Sequence, residues 1–288
     1  MQPAFNRRTV ILAAALGAGT TLLQACGGGD DEPQRNTVEL AKNTPELSIL
    51  VEAVVAADLA ATLSTGTLTV FAPTNAAFAA LLTELGVSKE ALLANKPLLT
   101  AVLTYHVLGS TVARADVPLG KAITPVSGGF FKIESNNGLK ITDGRNRVST
   151  ITATDIQASN GVVHLVDRVL LPADKDIVAT ASALPDFSIL VEAVVAAGLA
   201  STLQGTGPFT VFAPTNAAFA ALLTELGVSK ADLLANTALL TKVLTYHVVP
   251  ARVLKAEVPV NTAIATVQGQ SFTVNSSLVI TDQNMRTS

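Results

Sequence analysis

The chain has 288 residues, a length that favours about two domains, and 49% of its residues are hydrophobic, which excludes a largely disordered protein. Its 19 basic and 22 acidic residues give a net charge of −3, so the composition argues against a protein that binds nucleic acid through its phosphates. One Cys excludes an intrachain disulfide. The Cys and three scattered His are too few and too far apart in the sequence to indicate a structural zinc site.

Residues 1–26 have the pattern of an export signal. Arg7 and Arg8 precede an apolar run that is shorter than the roughly 20 residues of a membrane span. The run ends in Leu-Gln-Ala-Cys at residues 23–26, which resembles a bacterial lipobox, and this resemblance implies that Cys26 is lipidated and begins the mature protein. The alternative is a cleaved secretory signal with an incidental Cys.

Two further features bear on the export route. The Arg pair resembles a twin-arginine signal, to which the alternative is an ordinary charged region that holds two Arg. Residues 27–36 begin Gly-Gly-Gly-Asp-Asp and are predicted to be a flexible tether. Gly27 directly after the Cys favours the outer membrane of a Gram-negative cell, by resemblance to lipoprotein sorting. We therefore expect an exported, lipid-anchored protein in the periplasm or at the cell surface.

After the tether, helices are predicted first. Residues 47–63 are rich in Ala, Leu and Val and indicate one helix, and residues 67–71 indicate a short strand that Pro73 stops. The next helix is predicted to start at a cap formed by Thr74 and Asn75 and to end at Gly86, with one apolar face formed by Phe78, Leu81, Leu82 and Leu85. Further helical turns follow, with starts at Ser88 and Pro97 and buried faces that include Leu98, Leu99, Val102 and Leu103.

Strands are predicted next. Residues 130–134 and 139–142 flank a Ser-Asn-Asn-Gly sequence that is typical of a hairpin turn. Residues 148–154 indicate another strand, and a Ser-Asn-Gly turn at 159–161 precedes the strand-like residues 162–171. Helices followed by strands predict an α+β module with a largely antiparallel sheet.

The sequence then repeats itself at a spacing of 140 to 141 residues. The string SILVEAVVAA occurs at 48–57 and 188–197, and TVFAPTNAAFAALLTELGVSK occurs at 69–89 and 210–230. So long a period indicates a tandem domain duplication. We assign residues 37–173 to the first domain and 175–288 to the second.

The second copy contains no match to residues 150–172 of the first. We therefore predict that it is truncated at its C-terminus and lacks a closing strand. Three explanations stay open: the sequence is a fragment of a longer protein, the gene is truncated, or another chain donates the strand.

Three ordered motifs carry a family resemblance. Residues 69–78 (TVFAPTNAAF), the pair Tyr105-His106 and residues 161–172 (GVVHLVDRVLLP) resemble the first, central and closing signatures of fasciclin domains. In the second copy, residues 210–219 and the pair Tyr246-His247 match the first two signatures. The resemblance implies a β-wedge or sandwich with surrounding helices, and extracellular adhesion or protein binding.

Tyr105-His106 and Tyr246-His247 are the first candidate site residues. A His could act as a general base beside a nucleophile, but the sequence has no G-x-S-x-G motif, and the sole Cys belongs to the signal. We predict that each His bonds neighbouring backbone groups after an apolar helix. The family resemblance adds a role in binding as the alternative.

Asp155 and Ile156 form a second candidate site. In animal fasciclin domains a matching Asp-Ile pair is tied to integrin binding, so the resemblance implies a partner contact here. The alternative is a turn Asp beside a buried Ile. His164, on a predicted strand, is expected to be structural.

We predict a non-enzymatic module that binds an envelope or matrix protein and is held at the membrane through Cys26, without a cofactor or a metal. Two other functions stay open. One is a carrier of lipid or pigment, and the other is a hydrolase that uses the Tyr-His pair.

Overall fold

The computed structural model describes residues 35–287. The predicted export signal, Cys26 and most of the tether lie outside these residues. In the first copy the helices are α1 (Thr37–Lys42), α2 (Ser48–Ala56), α3 (Ala60–Leu63), α4 (Asn75–Leu85), α5 (Lys89–Ala94) and α6 (Lys96–Tyr105). Its strands are β1 (Leu68–Pro73), β2 (Val107–Leu108), β3 (Ala122–Ile123), β4 (Phe131–Ser135), β5 (Leu139–Thr142), β6 (Val148–Ala158) and β7 (Gly161–Val166).

Helix α4 begins and ends where its sequence predicts. The Thr74 hydroxyl accepts a hydrogen bond from the Ala77 N–H, and Gly86 ends the helix in the left-handed conformation at φ 65°. Phe78 and Leu81 are buried, whereas Leu85 at the end of the predicted apolar face is exposed. Asn75 is the first helical residue, and its side chain bonds the Ile49 N–H and the Pro45 carbonyl, which joins α4 to the start of α2.

The single helix predicted over residues 47–63 is wrong. A 3-10 turn (Pro45–Leu47) precedes α2, and α2 is separated from α3 by Asp58, which lies at φ 62°. The Leu59 N–H bonds the Val54 carbonyl across this break. Because an α-helix cannot continue through a left-handed residue, the apolar run turns and forms two short helices.

The strands form one seven-stranded sheet in the order β2-β1-β7-β6-β5-β4-β3. Five of the six neighbouring pairs are antiparallel, as expected, and β1 pairs with β7 in parallel. Strand β6 pairs with β5 through its first half and with β7 through its second, with register shifts between Ile151 and Ile156. These bulges bend the sheet, which gives the curled wedge that the family resemblance implies.

Alternating side chains of β1 and β7 divide the interior into two cores. Leu68, Ala72 and Val163 pack against the helices. Phe71 and Val166 point the other way and pack between the two halves of the sheet, together with Tyr105 and Phe131. Strand alternation therefore places β1 and β7 at the centre of the module.

The second copy repeats the helical part. Its helices are α7 (Ile177–Ser182), α8 (Ser188–Ala196), α9 (Ala200–Leu203), α10 (Asn216–Leu226), α11 (Lys230–Ala235) and α12 (Thr237–Tyr246). Its strands are β8 (Thr210–Val211), β9 (Val248–Val249), β10 (Ala263–Ala265), β11 (Ser271–Val274) and β12 (Ile280–Thr281). Among its described residues no strand takes the place of β7, and β8 is correspondingly shorter than β1.

The two copies touch through the side chain of Arg252. Its guanidinium carbon lies 4.9 Å from the ring centroid of Phe130 in the first copy, and it donates hydrogen bonds to Gly129 and Thr124. Glu257 also accepts a hydrogen bond from the Ala122 N–H. None of the helices between residues 35 and 287 is long and apolar enough to span a membrane.

Candidate functional site

Tyr105 and His106 lie at the end of α6, where the chain turns into β2, and both side chains are buried. Nδ1 of His106 lies 2.7 Å from the Val102 carbonyl oxygen, and its Nε2 accepts a hydrogen bond of 2.8 Å from the Leu170 N–H. Because Nε2 accepts, Nδ1 carries the ring proton and donates it to Val102. His106 therefore links the end of α6 to the residues that follow β7.

The surroundings of this pair favour uncharged side chains. Burial lowers the pKa of His106 to about 4, against smaller opposing effects of the Val102 hydrogen bond and the Asp143 carboxylate. Burial also raises the pKa of Tyr105 well above its usual range, and its hydroxyl donates to the Phe130 carbonyl. At neutral pH the pair thus acts as a set of neutral hydrogen-bonding groups inside the core.

Asp143 and Arg147, which the sequence analysis did not single out, complete this cluster. Asp143 is buried, and its Oδ2 accepts hydrogen bonds from the Leu171 N–H and from Arg147. The Arg147 guanidinium also donates to the Val169 carbonyl at 2.7 Å. The same Asp and Arg, four residues apart, recur as Asp282 and Arg286, and this recurrence is the sequence signal that could have identified them.

His164 on β7 and Asp155 on β6 contact each other. The Asp155 N–H donates to Nδ1 of His164 at 3.2 Å, so the ring proton lies on Nε2, which is 3.0 Å from the Val112 carbonyl oxygen. Asp155 lies at φ 60°, and its carboxylate accepts a hydrogen bond from the Arg114 N–H. Asp155 and Ile156 stay partly exposed beside the bulge of β6.

The corresponding pair in the second copy is more open. The Tyr246 hydroxyl donates to the Ser271 carbonyl at 3.0 Å, and Nδ1 of His247 lies 2.8 Å from the Val243 carbonyl oxygen, as in the first copy. Both side chains are half-buried, and burial raises the pKa of Tyr246. The pair lines a groove of about 860 Å³.

The predicted site residues therefore fall into separate places. Tyr105 with His106, Asp155 with Ile156, and Tyr246 with His247 occupy three different neighbourhoods. The hydrogen bonds that the three His rings make within residues 35–287 all go to main-chain groups. No cluster of three or more His, Cys, Asp or Glu side chains suited to a metal ion occurs in this part of the chain.

Comparison with known proteins places these features in one family. The fasciclin domain model matches residues 45–172 and 185–287. The Synechocystis protein sll1483 is 42% identical over 139 residues, which cover 47% of this chain and 72% of that protein. Transforming growth factor-beta-induced protein ig-h3 of Sus scrofa is 28% identical over 218 residues, or 74% of this chain and 30% of that protein.

The structure is also similar to a solved structure of a domain pair from the insect cell adhesion molecule fasciclin I. The matched region covers 84% of this chain and 89% of the fasciclin I chain. The sequence identity is 17% and the TM-score is 0.37.

Proposed function

The chain belongs to the fasciclin domain family, and from this premise we propose that it is a non-enzymatic protein-binding module for adhesion at the bacterial cell envelope. Family membership supports binding or adhesion as the broad function. The partner in this proposal is an envelope or matrix protein.

The observation that carries this proposal is a solvent-facing surface that occurs twice. Val55 on α2 and Val195 on α8 are 60% and 61% exposed and occupy equivalent positions in the two copies. Val51, one helical turn before Val55, is half-buried beside it. We call the Val51–Val55 surface and its counterpart around Val195 the paired valine surface.

The paired valine surface gives one chain two equivalent contacts. Around each valine the strings of the two copies are identical at exposed as well as buried positions, and the ion pair Lys89–Glu52 recurs as Lys230–Glu192. When one contact is made, the second becomes effectively intramolecular, which can raise the avidity by about 10²–10⁴-fold.

The site residues predicted from sequence contribute differently to this proposal. Asp155 and Ile156 are partly exposed, and we retain them as partner contacts. Tyr105 and His106 are buried, so their effect on binding would act through the fold. Tyr246 and His247 line the groove of the second copy and remain available to a ligand there.

Lipid on Cys26 is the proposed anchor, with residues 27–36 as the tether to the first domain. An anchor of this kind would hold both copies near the envelope surface. Within the first copy the carrier alternative has little support, because two cavities along its core hold about 30 and 100 Å³ and only the groove of the second copy, at about 860 Å³, reaches the size of a small-molecule site. Small-molecule sites usually measure about 300–1,000 Å³.

The proposal is tested by the binding of the chain to envelope proteins immobilised on a sensor surface. Val55→Glu and Val195→Glu should each weaken apparent affinity by at least about tenfold through loss of avidity, and the double variant should bind more weakly than either single variant. Ala76→Glu and Ala217→Glu are matched controls, because both positions are exposed on helices at equivalent places. Wild-type binding by the double variant would contradict the role of this surface, and no binding by the unaltered chain would contradict the function.

A further inference from the structure

The segment of the second copy that follows β9 packs against one edge of the first copy's sheet. Arg252 donates hydrogen bonds to the Gly129 carbonyl at 3.4 Å and to the Thr124 hydroxyl at 3.2 Å. Its guanidinium also lies over the ring of Phe130, 4.9 Å from the centroid. A planar guanidinium can stack on a ring and donate hydrogen bonds from its edge at the same time. We call Arg252 and its three partners the arginine clasp.

A second contact lies beside the clasp, at strand β3, which is the last strand in the order of the sheet. The N–H of Ala122 on β3 donates to the Glu257 carboxylate at 3.4 Å. The other oxygen of this carboxylate accepts the Leu254 N–H, so Glu257 is held in place by its own segment. Because open strand edges tend to pair with other chains, this carboxylate also protects the edge of the sheet.

The linker between the copies is fastened to the first copy. The Arg145 side chain donates a hydrogen bond to the Pro172 carbonyl at 3.4 Å and pairs with the Asp174 carboxylate at 3.3 Å. A Cβ atom on Gly144 would lie 2.3 Å from the main-chain nitrogen of Ala173, so the linker lies directly on this turn. The chain therefore leaves the first copy at Asp174.

The linker is fastened to the second copy almost at once. Asp176 caps α7 by accepting the Ala179 N–H, and its other carboxylate oxygen accepts a hydrogen bond from Gln204. One residue, Lys175, separates Asp174 from Asp176. So short a linker, held at both ends, allows the copies a limited range of relative positions, and the clasp selects among them.

The two halves of the clasp occur once each, although the copies share long identical strings elsewhere. At the repeat offset of 141 residues Arg252 corresponds to Thr111, so the first copy has no equivalent guanidinium. The three partners of Arg252 in the first copy correspond to Ala265, Gln270 and Ser271, which offer neither an aromatic ring nor a hydroxyl at the same places. A contact between unlike surfaces that each occur once joins one pair of domains and does not propagate.

We propose that the arginine clasp is a specific docking site for the second copy on the first, and that with the short linker it makes the two copies one rigid domain pair. The first copy supplies an aromatic ring and two oxygen acceptors, and the partner that fits them is a guanidinium of the same chain. Two domains joined by a small contact usually move relative to one another. The rigidity of this pair therefore depends on the clasp, and loss of the clasp should release the motion.

This inference goes beyond the proposed protein-binding function and does not rest on it, because the clasp is measured within the chain and without a partner. The two proposals therefore fail separately. Val55→Glu and Val195→Glu should leave the relative position of the copies unchanged.

The test measures the distance between the copies in the full chain. Thr83→Cys on α4 and Thr224→Cys on α10, both at exposed positions, carry spin labels in a Cys26→Ser background. Double electron–electron resonance should show one narrow distance distribution. Arg252→Ala should increase its width at least about twofold, because the second copy then moves about the linker. Lys255→Ala should leave the width unchanged.

Lys255 is a matched control because it is an exposed cation in the same segment, and its side chain has no ion pair within residues 35–287. Two further variants examine the chemistry of the clasp. Arg252→Lys keeps the charge without the planar guanidinium and should also broaden the distribution. Phe130→Leu removes the ring from the first copy and should do the same. The double variant Arg252→Ala/Phe130→Leu should be no broader than Arg252→Ala alone, since both changes remove one shared contact.

Three results would overturn the inference: a broad distribution in the labelled chain with its clasp intact, an equally narrow one in Arg252→Ala, or equal broadening by Lys255→Ala. Sedimentation of the chain checks that the clasp forms within one molecule. A monomer supports the inference. A dimer that Arg252→Ala dissociates would place the clasp between two chains and contradict the assignment of the partner.

Discussion

His106 and His247 occupy equivalent positions in the two copies, yet they differ in their hydrogen bonds and in their burial. Both follow a helix that ends in Leu-Thr-Tyr, and both contact the carbonyl four residues earlier. His106 additionally accepts the Leu170 N–H and is buried, whereas His247 is half-buried and lines the groove of the second copy. The fold of the first copy should therefore depend more strongly on its His.

Replacement of His106 tests this difference. His106→Ala leaves the Leu170 N–H and the Val102 carbonyl without their side-chain partner, and it should lower the free energy of unfolding of the first copy by about 1–3 kcal/mol. The chain has two Tyr and no Trp, so in a Tyr246→Phe background the fluorescence of Tyr105 reports urea unfolding of this copy. His247→Ala is the matched control and should change this transition little. Equal effects of the two variants would contradict the assignment.

The lowered pKa of His106 predicts a dependence of stability on pH. The unfolded state takes up a proton as the pH falls through about 6.5, whereas the folded state stays neutral down to a pKa of about 4. Stability of the first copy should therefore fall by up to about 3 kcal/mol between pH 6.5 and pH 4. Urea titrations at several pH values, read by the same fluorescence, measure this loss. The loss should be smaller in His106→Ala, and an unchanged slope in that variant would show that other groups cause it.

The backbone bond of His106 could be predicted because it is local: a His directly after an apolar helix faces the carbonyls of the last turn. The bonds of Asp143 and Arg147 to residues 169–171 could not, since they join positions that become neighbours only when the sheet closes. The contacts of Asp155 could not be predicted from the sequence either. Its Asp-Ile motif is visible in the sequence, but its left-handed conformation and its contact with His164 arise from the bulge in β6.

At the scale of elements, β1 and β8 show that a strand depends on its partner. Both strands contain the first residues of the same repeated string, yet β1 extends over six residues and β8 over two. Local sequence predicted the hairpin of β4 and β5 and the caps of α4, which depend on residues close in the chain. The break at Asp58 was missed, because an uninterrupted run of helix-forming residues hides a turn that tertiary packing imposes.

A substitution at the start of β7 tests how closely β7 must pack against β1. Gly161 lies at φ 147°, and a Cβ atom there would sit 1.9 Å from the Leu68 carbonyl oxygen of β1. Gly161→Ala should therefore force β1 and β7 apart and cost about 3 kcal/mol or more. Urea unfolding of the first copy measures the cost. Gly138→Ala is the matched control, because Gly138 also has a positive φ but its Cβ would meet open space, so its cost should be clearly smaller.

At the scale of the whole molecule, duplication gives two similar modules with different exposed features. The paired valine surface is present on both, the groove of about 860 Å³ lies on the second, and Arg252 of the second copy packs on Phe130 of the first. The repeat was visible in the sequence. The contact between the copies was not, because it joins side chains that lie outside the repeated strings.

The proposed lipid anchor on Cys26 would decide where these surfaces act. If Cys26 carries two or more acyl chains, the protein should fractionate with membranes and resist a high-salt wash, because each buried CH₂ contributes about 0.8 kcal/mol and two chains anchor stably. Cys26→Ser should accumulate as an unprocessed, unlipidated precursor. Mass spectrometry of the N-terminal peptide and membrane fractionation measure both effects, with Gln24→Ala as a control that keeps the Cys. Normal processing with an unmodified Cys26 in the mature protein would contradict the lipid anchor and would leave the folded modules as a freely exported protein.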